Sequence, residues 1–133
     1  MDTAIFGGGC FWCLEAIYNR INGVSKVASG YAGGHSPNPT YEQVSTGHTG
    51  HAEVIRIAYD PSVINFQDLL EIFFKAHDPT TINRQGADMG SQYRSIILYT
   101  DNTQKTIADK FIANLNESKV FQHPVITEIK ALE

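Results

Sequence analysis

The sequence predicts an α+β fold, a two-layer sandwich in which helices pack on a mixed β-sheet. Three observations carry this. Apolar periodicity along the chain gives elements in the order β-α-β-β-α-β-α-β. Two strand patterns stand next to each other in the middle, which a continuous run of βαβ units does not produce. Finally, 133 residues with 42% hydrophobic and 18% charged side chains suit one globular domain with one core.

Each element has a local reason. Thr3–Phe6 is a short apolar run suited to a buried strand, ended by Gly7–Gly9. From Phe11, the residues Leu14, Ile17, Tyr18 and Ile21 recur three or four apart, which predicts a helix with one buried stripe. Asn22-Gly23 supplies a left-handed stop. Val24–Tyr31 reads as a strand, and Glu53–Tyr59 as another with Ile55, Ile57 and Tyr59 on one face. Asp60-Pro61 turns the chain. Asn65 caps a helix over Phe66–Ala76, in which Phe66, Leu69, Leu70 and Phe73 share a face. Arg94–Tyr99 is a strand. Asp101 with Gln104 resembles a capping box, opening a helix to about Ser118 with Ile107, Ala108, Phe111 and Leu115 as its stripe. Val125–Ala131 closes as a strand. Ala32–Ala52 and His77–Tyr93 fit no regular element. Connections of that length in a small domain are usually functional, and these two read as walls of an active site.

The net charge is −4, the pI is near 5.7, and no run of Lys or Arg occurs. Nucleic acid and membranes are therefore not expected as partners. No signal peptide or spanning segment is visible, so the expected location is cytoplasmic. The Gly7–Gly9 run lacks the spacing of a dinucleotide fingerprint.

Cys10 and Cys13 are the two cysteines of the chain. A secreted disulfide scaffold needs more, spread more widely. In GGGCFWCLE, Cys10 falls between a glycine turn and the first turn of a helix. Unpaired N–H groups gather positive charge there and favour a thiolate. An ordinary cysteine is only about 3% thiolate at pH 7. Glycines beforehand let the backbone approach a substrate closely. Cys13 lies one turn on, within reach of a disulfide if that turn relaxes. The pair reads as a nucleophile with a candidate resolving thiol. Other readings are open at this level. Both cysteines can be small buried hydrophobes. With His48 and His51 they can bind zinc, although 34 residues between Cys13 and His48 exceed the usual finger spacing. A thioredoxin-like dithiol site, with His123-Pro124 before the last strand, is the main competitor. His48, His51 and His77 read as loop-ordering hydrogen-bonders.

The segment Gly9-Cys10-Phe11-Trp12-Cys13 resembles the active-site motif of the A-type peptide methionine sulfoxide reductases. The likeness continues through Gly30–Gly34, Asn38–Tyr41, Gly47–Glu53, His77-Asp78-Pro79 and Gln85–Ser95. Five further motifs in one order make the match specific. The resemblance implies the ferredoxin-like sandwich of that family and one catalytic domain over residues 1–133, lacking the C-terminal segment rich in Tyr, His and acids that many members carry. It implies that Cys10 attacks the sulfoxide sulfur, with Phe11 and Trp12 walling the S-methyl group. Tyr41, Glu53 and Tyr93 match positions around the sulfoxide oxygen, and Asp88 matches one that binds the substrate backbone. The implied substrate is the S epimer of methionine sulfoxide, free or in proteins. The implied reductant is thioredoxin or another thiol, acting on a monomer with no cofactor and no metal.

The chemistry accounts for those residue types. Attack on a sulfoxide builds negative charge on oxygen, which an acid and two phenols can protonate or hydrogen-bond. Glu53 begins a strand after a glycine-rich loop, a sensible place to aim a carboxyl inward. Oxygen transfer leaves Cys10 as a sulfenic acid. Many family members have glycine where Cys13 stands and resolve with cysteines near the C-terminus. Here no cysteine follows Cys13, so recycling requires Cys13 or an external thiol.

Overall fold

The computed structural model describes residues 2–9, 11–32, 52–77, 79–81, 84–85, 88–89, 93–121 and 123–132, with Phe11, Trp12, Arg84, Asp88 and Met89 described by their backbone. The elements are β1 (Asp2–Gly7), α1 (Phe11–Tyr18), β2 (Val24–Ala32), β3 (Ala52–Tyr59), α2 (Phe66–Ala76), β4 (Arg84–Gln85), β5 (Asp88–Met89), β6 (Ile96–Tyr99), α3 (Asn102–Glu117) and β7 (Glu128–Ala131). Five strands form one sheet in the order β2-β3-β1-β6-β7. β6 and β7 run parallel and the other neighbours antiparallel, so the sheet is mixed, as the sequence predicts. β1-α1-β2 and β3-α2-β6 are two interleaved split βαβ units, the ferredoxin-like arrangement. The crossover through α3 then adds β7 beside β6, as a parallel neighbour requires.

β1 is central, and its side chains divide the core. Ala4 and Phe6 face the helices with Ile55, Ile57 and Ile97, against Leu14, Tyr18, Leu69, Leu70 and Phe73. Ile5 faces the other way with Val54, Ile96 and Leu98. The expected alternation of β3 holds, with Ile55, Ile57 and Tyr59 in the helix-side cluster. A fully buried Phe or Leu contributes about 1.5–3 kcal/mol relative to exposure. That packing is what orders α1, since isolated helices shorter than about 12 residues are marginal in water.

α1 is shorter than its periodicity predicts. It stops at Tyr18, not Ile21, and Ile17 leaves the expected stripe at 37% exposed. Tertiary anchoring explains this. The buried Tyr18 hydroxyl donates to Leu69 O in α2 at 2.8 Å, and Ser29 Oγ of β2 donates to Glu15 Oε2 at 2.7 Å. These fix one face of two turns. Gly23, at φ +93°, then reverses the chain as expected.

α2 begins at the predicted cap. Asn65 Oδ1 accepts from Asp68 N at 2.8 Å and Asp68 Oδ2 accepts from Asn65 N at 3.4 Å, a reciprocal capping box. In α3 the expected box is only half formed. Asp101 Oδ1 accepts from Gln104 N at 2.8 Å, but Gln104 Oε1 accepts from Thr100 N, and its Nε2 donates to Thr3 O of β1. The last strand starts at Glu128 rather than Val125, because Val125 N donates to Asn116 Oδ1 and Ile126 N to Pro79 O. Likewise β6 starts at Ile96, two residues after the predicted Arg94.

Candidate active site

β1 runs out into three buried glycines, each with a spatial reason. A Cβ on Gly7 would lie 2.7 Å from Glu53 O and 2.8 Å from Ile96 Cγ2. One on Gly8 would lie 2.7 Å from His77 Cδ2 and 3.1 Å from Phe73 Cε1. Gly9 adopts φ +88°, a conformation side chains rarely take, and a Cβ there would lie 2.9 Å from Gln85 Cβ. Its N–H donates to Tyr93 O at 3.2 Å. The sequence suggests that these glycines admit a substrate. Among the described residues they admit the protein's own backbone and side chains. The turn is thereby held in one place just before α1.

Glu53 is 4% exposed, the second residue of β3, and pairs in register with Tyr31. Its parity with Ile55 and Ile57 places it on the helix side of the sheet, and its carbonyl abuts Gly7. Glu53 is therefore a buried residue and not a solvated strand-end charge. Tyr93 is half-buried and contributes its carbonyl to Gly9. Phe11 and Trp12 open α1, and Cys13 follows them as an exposed residue. Asp88 stands in β5 opposite Gln85, the residue against which Gly9 packs. The fold thus gathers Glu53, Tyr93, Asp88 and the start of α1 at the end of β1. Cys10 and Tyr41 lie outside the described residues, as do His48 and His51.

The hairpin of β4 and β5 falls inside the stretch that the sequence leaves unassigned. Two-residue strands carry no usable periodicity. A polar chain that the sequence reading also missed supports the glycine turn. His77, the C-cap of α2, has Nδ1 2.6 Å from Phe73 O and Nε2 2.7 Å from Ser95 Oγ. Ser95, 4% exposed, lies 2.7 Å through Oγ from Thr127 Oγ1. His77 is thus a loop-ordering residue, as expected, and its ring also stacks on Phe73 at 4.0 Å between centroids. The sequence signal was His77-Asp78-Pro79, but nothing local points from it to Gly8.

The family model for peptide methionine sulfoxide reductases matches residues 2–133. This chain belongs to that family. Family relatives share long stretches of sequence with it. The peptide methionine sulfoxide reductase of Sulfolobus acidocaldarius is 58% identical over 133 residues, covering all of this chain and 74% of its own length. That of Natronomonas pharaonis is 55% identical over 131 residues, 98% of this chain and 74% of the relative. Among solved structures, reduced Mxr1 from Saccharomyces cerevisiae superposes with a TM-score of 0.90 at 32% identity, covering 99% of this chain and 76% of that one. Methionine sulfoxide reductase A of Corynebacterium diphtheriae gives 0.85 at 35% identity, and the match spans 98% of this chain and 64% of that one. The thioredoxin-like alternative is thereby replaced by a reductase fold whose central strand, β1, delivers the glycine turn. Among the described residues no helix is long and apolar enough to cross a membrane.

Proposed function

We propose that this reductase-family chain removes oxygen from methionine sulfoxide, of S configuration at sulfur, with Cys10 as nucleophile and Glu53 as the acid. The observation that supports it best is the junction of β1 and α1. A glycine turn pinned to Tyr93 O leads directly into residue 10, and the backbone of the buried Glu53 lies against Gly7 at the start of that turn. The start of a helix favours a thiolate, and an acid shielded from water holds its proton more readily.

In this scheme the Cys10 thiolate attacks the sulfoxide sulfur while Glu53, with the hydroxyls of Tyr41 and Tyr93, hydrogen-bonds and protonates the oxygen. The S–O bond breaks as oxygen passes to Cys10. The sulfide leaves two electrons richer, and Cys10 becomes a sulfenic acid. Phe11 and Trp12 wall the S-methyl group, and Asp88 holds the substrate backbone. The Cys13 thiol then attacks the sulfenic sulfur, a disulfide forms and water leaves. An external dithiol of the thioredoxin class reduces that disulfide and is itself oxidised. Mxr1 is known in complex with Trx2, and we extend that class of partner to this chain as part of the proposal. The scheme uses a monomer and no metal, flavin or nicotinamide.

The test is Cys10→Ser assayed with dithiothreitol and each epimer of a blocked methionine sulfoxide. Methionine should form with the wild type on the S epimer and not with the variant, because a hydroxyl is far less nucleophilic than a thiolate. Normal turnover by Cys10→Ser would remove the basis of the scheme.

A further inference from the structure

We propose that His77, held by hydrogen bonds at both ring nitrogens, is a positioning residue for Cys10, setting the height of the glycine turn that precedes the nucleophile in the chain. The proposal rests on reading Cys10 as the nucleophile. Phe73 O can only accept, so at 2.6 Å His77 Nδ1 carries the proton. In the neutral ring Nε2 then accepts from the Ser95 hydroxyl, which in turn accepts from Thr127. One directed chain thus ties the end of α2, the entry to β6 and the approach to β7 to a single imidazole. The ring cannot tilt without breaking a half-buried hydrogen bond, and stacking on Phe73 restrains it further.

The Cδ2–Cγ edge of the ring meets Gly8. A Cβ there would fall 2.7 Å from Cδ2 and 2.8 Å from Cγ of the ring. Only Gly9 and Gly23 among the described glycines have positive φ, so Gly8 is not glycine for conformational freedom. It is glycine because the imidazole, with Phe73 Cε1 close behind, occupies its side-chain space. Tyr93 O, two residues before Ser95, holds Gly9 N–H. The segment that orients His77 therefore also clamps the next residue of the turn. A shift of the ring moves Gly8, which stands two residues before Cys10 in the chain. Misplacing a reacting group by about 1 Å can cost about 100-fold in rate.

The geometry predicts non-additive substitutions at positions 8 and 77. Gly8→Ala, His77→Ala, the double variant and His77→Phe are compared with wild type in the full chain. Methionine formed in a single turnover without reductant is one readout. The pH dependence of Cys10 alkylation by iodoacetamide, resolved by peptide mass spectrometry, is the second, and steady-state kcat and KM are the third. His77→Ala should slow the single turnover roughly 10–100-fold, the scale of such misplacement, shift the alkylation profile, and lower kcat with little change in KM. Gly8→Ala should be at least as slow. The double variant should recover at least about tenfold over Gly8→Ala, because its methyl group enters the space the ring vacated. His77→Phe keeps the ring volume while losing both hydrogen bonds, and should be slower than wild type with an altered alkylation profile. Circular dichroism establishes which variants fold. Multiplicative rates in the double variant, or a folded His77→Phe with wild-type rate and profile, would overturn the proposal. Turnover by Cys10→Ser would instead sink the nucleophile reading, so the two failures are distinguishable.

Discussion

Replacing Tyr18 by Phe removes one oxygen atom from the interface between α1 and α2, and its effect should reverse sign with pH. The phenol is fully buried, and its hydroxyl donates to Leu69 O at 2.8 Å. Burial pushes its pKa up, well above the ordinary tyrosine value of 10.0. At neutral pH the variant loses a buried hydrogen bond and should be less stable by about 1 kcal/mol. At alkaline pH the unfolded phenol ionises from about pH 10 upward while the folded one stays protonated. The contribution of Tyr18 is therefore fully present below the unfolded pKa and is lost as pH rises toward the folded one. Wild type then loses about 1.4 kcal/mol per pH unit from this residue alone. The Tyr18→Phe variant has no phenol to ionise at this position, so the two stabilities should cross near pH ~11, where the ionisation loss equals the missing hydrogen bond. Urea denaturation by circular dichroism between pH 7 and 11.5 measures both curves, and the other tyrosines titrate equally in each. Parallel curves across the whole range would refute the argument, since they would mean that Tyr18 ionises alike in folded and unfolded chains.

Three further outcomes follow from the site. Glu53→Gln should fold normally and slow single-turnover oxygen transfer roughly 10²–10⁴-fold, the range of general acid–base catalysis; an unchanged rate would make Glu53 a structural group. Cys13→Ser should still form about one methionine per enzyme without reductant and accumulate a species that dimedone traps on Cys10, whereas oxidised wild type should hold a Cys10–Cys13 disulfide. Mass spectrometry finding an unbridged Cys13 beside a stable sulfenic acid in wild type would show that this is a one-cysteine enzyme. Gly9→Ala should cost about 1–2 kcal/mol for the left-handed backbone alone, with more from contact with Gln85 Cβ. Thermal unfolding should register that loss, and an undiminished midpoint would mean that the turn relaxes freely.

The sequence alone determined those features whose cause is local. The strand patterns, the Asn65 cap, the stop at Gly23 and the alternation of β3 each follow from a few adjacent residues, because periodicity and capping are properties of short windows. It also determined the family, since six motifs in one order are a linear signal. It did not determine where α1 ends, because Tyr18 is fixed by Leu69, 51 residues away. Nor did it send Gln104 to Thr3, 101 residues away, in place of the reciprocal bond to Asp101. The identity of Gly8 shows the same limit. Read locally, GGG is a flexible turn before a thiol. In the folded chain each glycine yields its space to a different neighbour: the Glu53 carbonyl, the His77 ring and the Gln85 side chain. Which atoms fill the space of an absent side chain is decided by packing between distant elements, and no pattern along the chain encodes it.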